Sequence, residues 1–360
     1  MTSCETVPPL TDLTLEITNY CLLACLHCSS EANRRSSEQL SLQVIKEVMN
    51  DFKELGGKRI EISGGEPLCY GELPEVIRHA KKLDLETSLF SCGVFDRALL
   101  KQNDGLLSRK VRQLRKLGLD EVVVSLHGSY EELHNSISKR KSFRPTVRFI
   151  RELVKRGISV GVHFVPVHDN FDNIDDLEAY CKHLKVRQMG LLRFVPQGRG
   201  KQNEKRLRLS EEQTLVLTEL LAKKATEKEG IFRVGRHLDF TFFFRKGHRP
   251  EYCSAGISKC VITPKGWVLP CPVFKGLKQF VAGDLRRANL REIWKGSQVF
   301  KRLRGFDPER LKGPCRDCGY RSACRGGCPA QRFYEHGDLY VGPDPYCPRE
   351  VTMRMAMVIP

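Results

Sequence analysis

The segment Tyr20–Cys28, YCLLACLHC, decides how the fold and the chemistry of the rest of the chain are interpreted. It places Cys21, Cys25 and Cys28 in the spacing C-x3-C-x2-C. Iron–sulfur clusters are normally bound by four thiolates, so three neighbouring cysteines predict a [4Fe-4S] cluster with one iron open to a ligand other than protein. An open position is typical of catalytic metal sites. A structural zinc site is the alternative, but zinc requires a fourth protein ligand, and His27 is sterically a poor candidate because it adjoins Cys28.

Composition limits the class of protein. The 360 residues are 41% hydrophobic and 29% charged, which is typical of a soluble globular chain. The fifteen cysteines are not preceded by a signal peptide, and no segment approaches the roughly 18 apolar residues that cross a bilayer. We therefore expect a cytoplasmic protein without a membrane partner, whose cysteines bind metal.

The net charge of +17 admits an anionic partner such as nucleic acid, a phosphorylated substrate or an acidic peptide. The densest basic segment, GRGKQNEKRLR at residues 198–208, is interpreted as a solvated loop between a strand and a helix. Aromatic residues do not interleave with these charges, so stacking on bases is not indicated and nucleic acid is not the expected partner.

Short apolar strands alternate with helical patterns from residue 13 to residue 195, which is typical of βα units and a parallel sheet. One helix presents Leu42 and Phe52 on the same face, another begins at Pro145, and a Ser-x-x-Gln capping box opens a third at Ser210. Six such units predict an open, partial (β/α)6 barrel. The predicted strands are Leu13–Thr18, Arg59–Ser63, Glu86–Phe90, Glu121–Leu126, Ile158–Val165 and Met189–Val195.

The composition changes near Arg249, after which Cys, Gly, Pro and Arg dominate and periodicity is weak. Bound metal would supply the stability that such a segment cannot draw from apolar burial. We expect an α/β fold with a C-terminal cysteine-rich, loop-rich iron–sulfur domain. The expected divisions are an N-terminal tail (1–12), the barrel (13–200), a helical bridge (201–248), the cysteine-rich domain (249–350) and a C-terminal tail (351–360).

Alternation along the strands predicts which side chains face the barrel interior. Helices cover the outside, so the apolar alternates point outward and the polar ones inward, and barrel active sites form at the C-terminal ends of the strands. We predict that His127 and His163 serve as acid or base. The full inward set is Glu16, Glu61, Ser63, Ser125, His127, His163 and Arg193.

A second motif, SGGEP at residues 63–67, follows the second strand. Its glycine pair exposes backbone, and its acid can receive an ammonium group. Together with the cysteine triad, this motif resembles the radical S-adenosylmethionine (SAM) superfamily over residues 13–195. In that family the open iron chelates SAM, one electron from the cluster splits SAM, and a 5′-deoxyadenosyl radical abstracts a substrate hydrogen. The resemblance implies cluster ligation by Cys21, Cys25 and Cys28.

The same resemblance implies SAM contacts. His27 would pack near adenine, Gly64, Gly65, Glu66 and Pro67 would bind the amino group, and Ser125 would contact ribose. The chain departs from the family where strand four ends, because it reads SLHG at residues 125–128 instead of a Ser-x-Asp-Gly-like sequence.

Eight later cysteines resemble the SPASM auxiliary domain found behind many radical SAM barrels, including the flanking ITPKGWVLPC and CRGGCPA. In that family the domain holds two further [4Fe-4S] clusters, although spacing alone does not distinguish iron from zinc. If Cys260, whose position varies among relatives, is not a ligand, the first auxiliary cluster has an open iron that can bind substrate. By analogy with sulfatase-maturing relatives, one cluster falls to Cys253, Cys260, Cys271 and Cys328, and the other to Cys315, Cys318, Cys324 and Cys347.

The leading hypothesis is a radical SAM oxidoreductase or peptide-maturation enzyme that oxidises or cross-links a peptide or protein side chain. An external donor such as flavodoxin or ferredoxin would supply single electrons. The alternative substrate is a small molecule, such as an aminosugar alcohol or a tetrapyrrole, since the first strand begins near Leu13 and leaves no room for a leader-binding domain. A zinc-bearing nucleic-acid-binding protein is a third hypothesis, but it leaves the triad and GGEP unexplained.

Overall fold

One ten-stranded sheet organises the chain in the computed structural model. The structure describes residues 7–101, 104–225, 227, 230–235, 238–244 and 251–358. The strands are β1 (Asp12–Thr18), β2 (Arg59–Gly64), β3 (Glu86–Ser91), β4 (Glu121–Ser125), β5 (Ser159–Phe164), β6 (Gln188–Leu191), β7 (Phe232–Val234), β8 (Lys259–Ile262), β9 (Trp267–Leu269) and β10 (Gly283–Asp284). Their order is β10-β9-β8-β1-β2-β3-β4-β5-β6-β7. Pairing is parallel from β8 to β7 and antiparallel for β9 with β8 and β10.

The six predicted strands are confirmed as β1–β6, and the predicted partial barrel is confirmed with them. Parts of the expected tails and of the expected helical bridge lie outside the described residues. These parts are residues 1–6, 226, 228–229, 236–237, 245–250 and 359–360. The α-helices are α1 (Leu42–Glu54), α2 (Leu73–Lys82), α3 (Asp104–Lys116), α4 (Glu131–Ser138), α5 (Phe143–Lys155), α6 (Ile174–His183), α7 (Arg199–Gln202), α8 (Glu204–Leu207), α9 (Glu211–Lys224), α10 (Leu290–Gly296), α11 (Gln298–Arg304), α12 (Arg321–Cys324), α13 (Pro329–His336) and α14 (Pro348–Val358).

Strand alternation places the main core between the sheet and its outer helices. In β1, Leu13, Leu15 and Ile17 are fully buried in this core, whereas the polar alternates face the other side of the sheet. The capping box that the sequence predicts is present at α9, where Ser210 and Gln213 exchange side-chain-to-backbone hydrogen bonds. Sequence periodicity therefore determines which face of the sheet is left for chemistry.

Two features differ from the sequence expectation. The basic segment at residues 198–208 is not a loop but forms α7 and α8, and Arg206 pairs with Asp169 at 2.6 Å. The sheet is also longer than six strands, because β7 extends it beyond β6 and β8–β10 extend it beyond β1. These added strands have two to four residues, too few to show a period of two in the sequence.

The cysteine-rich region is attached to the barrel along β1. Besides the β8–β1 pairing, the Trp294 indole N–H donates to the Pro8 carbonyl at 2.8 Å, and the Leu290 backbone N–H donates to Asp51 at 3.1 Å. A second, smaller core lies within this region and includes Phe274, which is fully buried. Among the described residues, no helix is long and apolar enough to cross a membrane.

Candidate active site

A cavity of about 1240 Å³ lies inside the barrel and continues to the cysteine-rich region. It exceeds the roughly 300–1,000 Å³ of most small-molecule pockets. Its walls include the three triad cysteines and four cysteines of the C-terminal region. The inward direction predicted from strand alternation is confirmed, since the cavity is lined by Glu16, Glu61, Ser63, Ser125, His127, His163 and Arg193.

The triad follows β1 in a loop that places Cys21 and Cys28 near Cys25. Burial raises the pKa of the Cys25 thiol, and the neighbouring Cys21 and Cys28 raise it further. Positive charge, as iron supplies in a cluster, would favour the thiolate form of Cys25 beside the other two sulfurs. No group of three His, Cys, Asp or Glu side chains in the described ranges is arranged around a single metal ion.

Arg199, at the start of α7, holds the triad loop. Its Nε donates to the Cys25 carbonyl at 3.0 Å, its Nη1 donates to the Ala32 carbonyl at 2.9 Å, and its backbone N–H donates to the Cys28 carbonyl at 3.0 Å. Sequence reasoning missed this residue because it lies in the segment interpreted as a solvated loop. Nothing in the local sequence separates Arg199 from the other basic residues around it.

The GGEP turn packs directly on the triad loop. The backbone N–H groups of Gly65 and Glu66 donate to the carbonyls of Thr18 and Tyr20 at 2.6 and 2.8 Å. A Cβ on Gly65 would overlap the Tyr20 carbonyl oxygen, so the close approach requires glycine. Gly64 and Gly65 both line the cavity next to the triad.

Glu66 does not face the cavity, contrary to the prediction that its carboxylate receives an ammonium group. It is fully buried and accepts hydrogen bonds from the Ser91 hydroxyl at 2.7 Å, the Cys92 N–H at 2.8 Å, the Cys92 thiol at 2.9 Å and the Leu68 N–H at 3.0 Å. Burial raises the pKa of Glu66, although these hydrogen bonds favour its charged form. Glu66 therefore joins the GGEP turn to the end of β3, while Pro67 begins a short 3-10 helix.

Three histidine rings contact one another beside the triad, His27 edge-on to His127 and His127 stacked on His134. The ring centroids of His27 and His127 are 4.8 Å apart, and those of His127 and His134 are 5.0 Å apart. The Nε2 atom of His127 is 3.8 Å from the Cys25 sulfur. Burial lowers the pKa of His27 to about 4 and that of His134 to about 3, and lowers that of His127 as well. All three rings are therefore neutral near pH 7, and the Nδ1 atoms of His27 and His127 are buried without a hydrogen-bond partner among the described residues.

A charged cluster around Glu61 of β2 forms another part of the cavity wall. Glu61 accepts hydrogen bonds from the Lys259 ammonium at 2.8 Å and from the Thr14 hydroxyl at 2.5 Å. Burial alone would raise the pKa of Glu61, but Lys259 and Thr14 lower it overall. Burial lowers the pKa of the nearby His163 to about 4, so that this ring is neutral too.

The C-terminal cysteines form two groups. Cys253, Cys271 and Cys328 lie together at the cavity. Burial raises the pKa of Cys271, and the neighbouring Cys253 and Cys328 raise it further. Electrostatic contacts also link Cys315 with Cys318, and Cys324 and Cys347 with Cys315. The second predicted set of four is thus close in space.

Cys260 is not placed with the first group, contrary to the prediction. It is fully buried in the outer core and pairs in register with Leu13, whose side chain points toward the helices. Cys260 does not line the cavity, and the groups that act on its pKa besides burial are Lys259 and Arg304. The alternation along β8 therefore separates it from Cys253, Cys271 and Cys328.

An ion pair joins the barrel to the cysteine-rich region. Arg193 follows β6 and donates from Nη1 to Asp344 at 2.8 Å, with both side chains only 1% exposed. Asp344 also accepts the Cys328 N–H at 2.7 Å. Arg193 lies 4.0 Å from the centre of the Tyr346 ring. This inward arginine is therefore committed to holding the cysteine-rich region against the lumen.

Comparison with known proteins places these features in a family. Residues 15–184 match the sequence model of the radical SAM superfamily, and residues 253–319 match that of the SPASM iron–sulfur cluster-binding domain. A heme synthase of Oleidesulfovibrio alaskensis, "AdoMet-dependent heme synthase", is 29% identical, with 92% of this chain and 85% of that protein covered. "Mycofactocin maturase MftC" of Mycolicibacterium smegmatis is 28% identical over 96% and 88%. "PqqA peptide cyclase" of Streptomyces rochei is 28% identical over 92% and 88%.

Solved structures share the fold. Streptococcus suis SuiB bound to S-adenosylmethionine superposes with a TM-score of 0.73 at 18% identity, covering 94% of this chain and 77% of that one. The structure of anSMEcpe with bound AdoMet has a TM-score of 0.71 at 15% identity, covering 97% and 93%. The triad beside its GGEP turn, the partial barrel and both family matches agree. Residues 15–184 are therefore a radical SAM domain and residues 253–319 a SPASM domain, so that the chain is an enzyme whose cofactors are SAM and [4Fe-4S] clusters.

Proposed function

We propose that this enzyme oxidises or cross-links a side chain of a peptide or protein with the help of two auxiliary [4Fe-4S] clusters. The proposal rests on one observation. The walls of one cavity include both the triad and Cys253, Cys271 and Cys328. Cys21, Cys25 and Cys28 would hold the cluster, which would supply the electron for cleavage of SAM and so the radical chemistry of hydrogen abstraction. A substrate in this cavity reaches both cysteine groups, as oxidation of the substrate radical by an auxiliary site requires.

We assign SAM binding to the residues that surround the triad. Gly64 and Gly65 offer backbone atoms, His27 offers an aromatic face, and Ser125 offers a hydroxyl to the cavity. Glu66 and Pro67 act indirectly, since Glu66 ties the turn to β3 through four hydrogen bonds. The proposed SAM contacts therefore do not include the Glu66 carboxylate, which the sequence resemblance implied as a direct contact.

Neutral histidines in the lumen supply proton transfer. The pKa of His163 is lowered to about 4, so at pH 7 its ring accepts a proton from a substrate group without first losing one. His127 is oriented by His134, whose Nδ1 accepts the His127 backbone N–H at 3.2 Å. We propose His163, on β5, and His127, just after the neighbouring strand β4, as the acid–base residues.

The auxiliary ligands follow from the two cysteine groups. We propose that Cys253, Cys271 and Cys328 hold the first auxiliary cluster without Cys260, which leaves one iron open toward the cavity. An open position there can bind a substrate atom directly. The second cluster would be closed by Cys315, Cys318, Cys324 and Cys347.

A peptide substrate is favoured by one relative's name, PqqA peptide cyclase, at 28% identity. The large cavity also supports it, because an extended chain needs more room than most small ligands. The second candidate is a tetrapyrrole, favoured by the relative named AdoMet-dependent heme synthase at 29% identity. A one-electron donor such as flavodoxin or ferredoxin and a cytoplasmic location, where thiols stay reduced, complete the proposal.

The test is an anaerobic assay with SAM and reductant, in which candidate peptides and tetrapyrroles are offered separately. We expect about twelve irons per chain, formation of 5′-deoxyadenosine, and a mass decrease of a peptide that depends on Cys28 and Cys271. The Cys28→Ala variant should lose SAM cleavage, whereas Cys271→Ala should retain cleavage and lose product. Turnover of a tetrapyrrole with every peptide unchanged would overturn the peptide proposal.

A further inference from the structure

Arg332 is a buried cation whose charge the described protein does not compensate. It lies on α13, is 0% exposed, and all three of its guanidinium nitrogens lack a hydrogen-bond partner within the described residues. Its guanidinium is 5.2 Å from the centre of the Phe306 ring, but a single ring does not replace the hydration of a buried charge. An unpaired arginine in such a position requires an anion.

The carboxylate that acts on Arg332, Asp344, is already engaged elsewhere. Asp344 acts electrostatically on Arg332, but its two oxygens accept hydrogen bonds from Arg193, from the Cys328 N–H at 2.7 Å and from the Tyr346 N–H at 2.8 Å. The charge of Asp344 therefore compensates that of Arg193. The charge of Arg332 is left without a hydrogen-bonded anion among the described residues.

Cysteines of both auxiliary groups surround the guanidinium. Arg332 interacts electrostatically with Cys315 and Cys324 of the second group and with Cys328 of the first. A Cβ on Gly342 would lie 2.6 Å from the Cys315 sulfur and 3.7 Å from Cδ of Arg332, so the thiol and the arginine share one small space. Arg332 also lines the cavity.

The CRGGC segment is shaped around this arginine. Gly326 has a φ of +76°, and a Cβ at that position would overlap Nη1 of Arg332. Any other residue would therefore displace the guanidinium from the cysteines on either side of the glycines. The motif thus provides space for the cation as well as for its two thiols.

We propose that Arg332 is the counter-charge of the auxiliary iron–sulfur clusters, and that it donates hydrogen bonds to their sulfurs and raises their reduction potentials. The inference rests on the proposed function, because it requires clusters at these cysteines. A cluster with thiolate ligands is anionic and gains a further negative charge on reduction, so a nearby cation favours the reduced state. Hydrogen bonds to the sulfurs act in the same direction.

The experiment compares full-length, anaerobically reconstituted wild type with Arg332→Met and Arg332→Lys in redox titrations followed by electron paramagnetic resonance. For Arg332→Met, we expect the reduced-to-oxidised ratio of an auxiliary cluster at fixed potential to fall at least tenfold, which is a shift of about 59 mV for one electron. Arg332→Lys should change the ratio less than Arg332→Met does. The matched control is Arg310→Met, because Arg310 also lies over a ring, Tyr340 at 4.6 Å, but is exposed.

The outcomes separate this inference from the proposed function. A wild type that binds only the four irons of the triad overturns both. If the auxiliary clusters have the same potentials in wild type and in Arg332→Met, only the role of Arg332 is overturned. The same conclusion holds if Arg332→Met changes substrate affinity and nothing else. Loss of auxiliary iron from Arg332→Met, with the triad intact and iron retained in Arg332→Lys, supports the inference. If the Met variant does not fold, Arg332→Gln carries the same expectation of a tenfold fall.

Discussion

Replacement of Arg199 by methionine tests how the triad loop is held. The substitution keeps an unbranched apolar stem and the backbone bond to Cys28, and it removes the side-chain hydrogen bonds to the carbonyls of Cys25 and Ala32. The Cys25 carbonyl retains another donor, the Cys28 N–H at 3.2 Å, which moderates the cost of losing its bond to Arg199. Hydrogen bonds from charged groups contribute about 1.5–3 kcal/mol each.

Because Arg199 is only half-buried, the lower end of that range applies. Two bonds then amount to about 3 kcal/mol, or roughly a hundredfold in an equilibrium between the cluster-binding loop and an open loop. We therefore expect the Arg199→Met variant to release the iron of the triad to a chelator about a hundredfold faster than wild type when the loop opens and closes rapidly. An Arg199→Lys variant keeps the charge but cannot reach both carbonyls at once, so it should fall between them.

The assay follows iron release and 5′-deoxyadenosine formation in the same anaerobic sample. The control is Arg206→Met in the adjacent helix, where a surface ion pair with Asp169 contributes only about 0–1 kcal/mol. If Arg199→Met and Arg206→Met lose iron equally slowly, the guanidinium does not stabilise the loop and the reasoning is refuted.

Three further predictions concern the turn, the histidines and the auxiliary ligands. Glu66→Gln should lower the free energy of unfolding in urea by about 2–4 kcal/mol, because an amide cannot accept all four hydrogen bonds; an unchanged midpoint would contradict this. Burial lowers the pKa of His134 to about 3 from about 6.5 when unfolded, so stability should decrease as pH falls between those values. His134→Asn should reduce that decrease by up to about 5 kcal/mol. Urea unfolding at several pH values measures the effect, and equal slopes of stability against pH in wild type and variant would refute it. Cys260→Ala should keep about twelve irons while Cys271→Ala loses iron, and equal losses by direct analysis would restore Cys260 as a ligand.

Features that repeat locally could be predicted from the sequence. The outward Leu13, Leu15 and Ile17 and the inward Glu16 follow from a period of two, which β1 keeps over seven residues. The SAM-site motifs were equally accessible, because the triad and GGEP each lie within a few residues of chain. The direction of Glu66 was not, since its partners Ser91 and Cys92 come from a different strand.

The sequence by itself determined the barrel, the cysteine triad and the cysteine-rich domain, because spacing and alternation act over a single turn or strand. Tertiary structure alone decided which distant residues serve those sites. Cys260 has metal-like spacing, but the register of β8 against β1 turns it into the outer core. Arg199 and Arg332 are two among many arginines in the sequence. Only the contacts of Arg199 with backbone carbonyls and of Arg332 with thiols distinguish these two from the rest. Long-range packing sets the charge around each sulfur, and no local pattern encodes it.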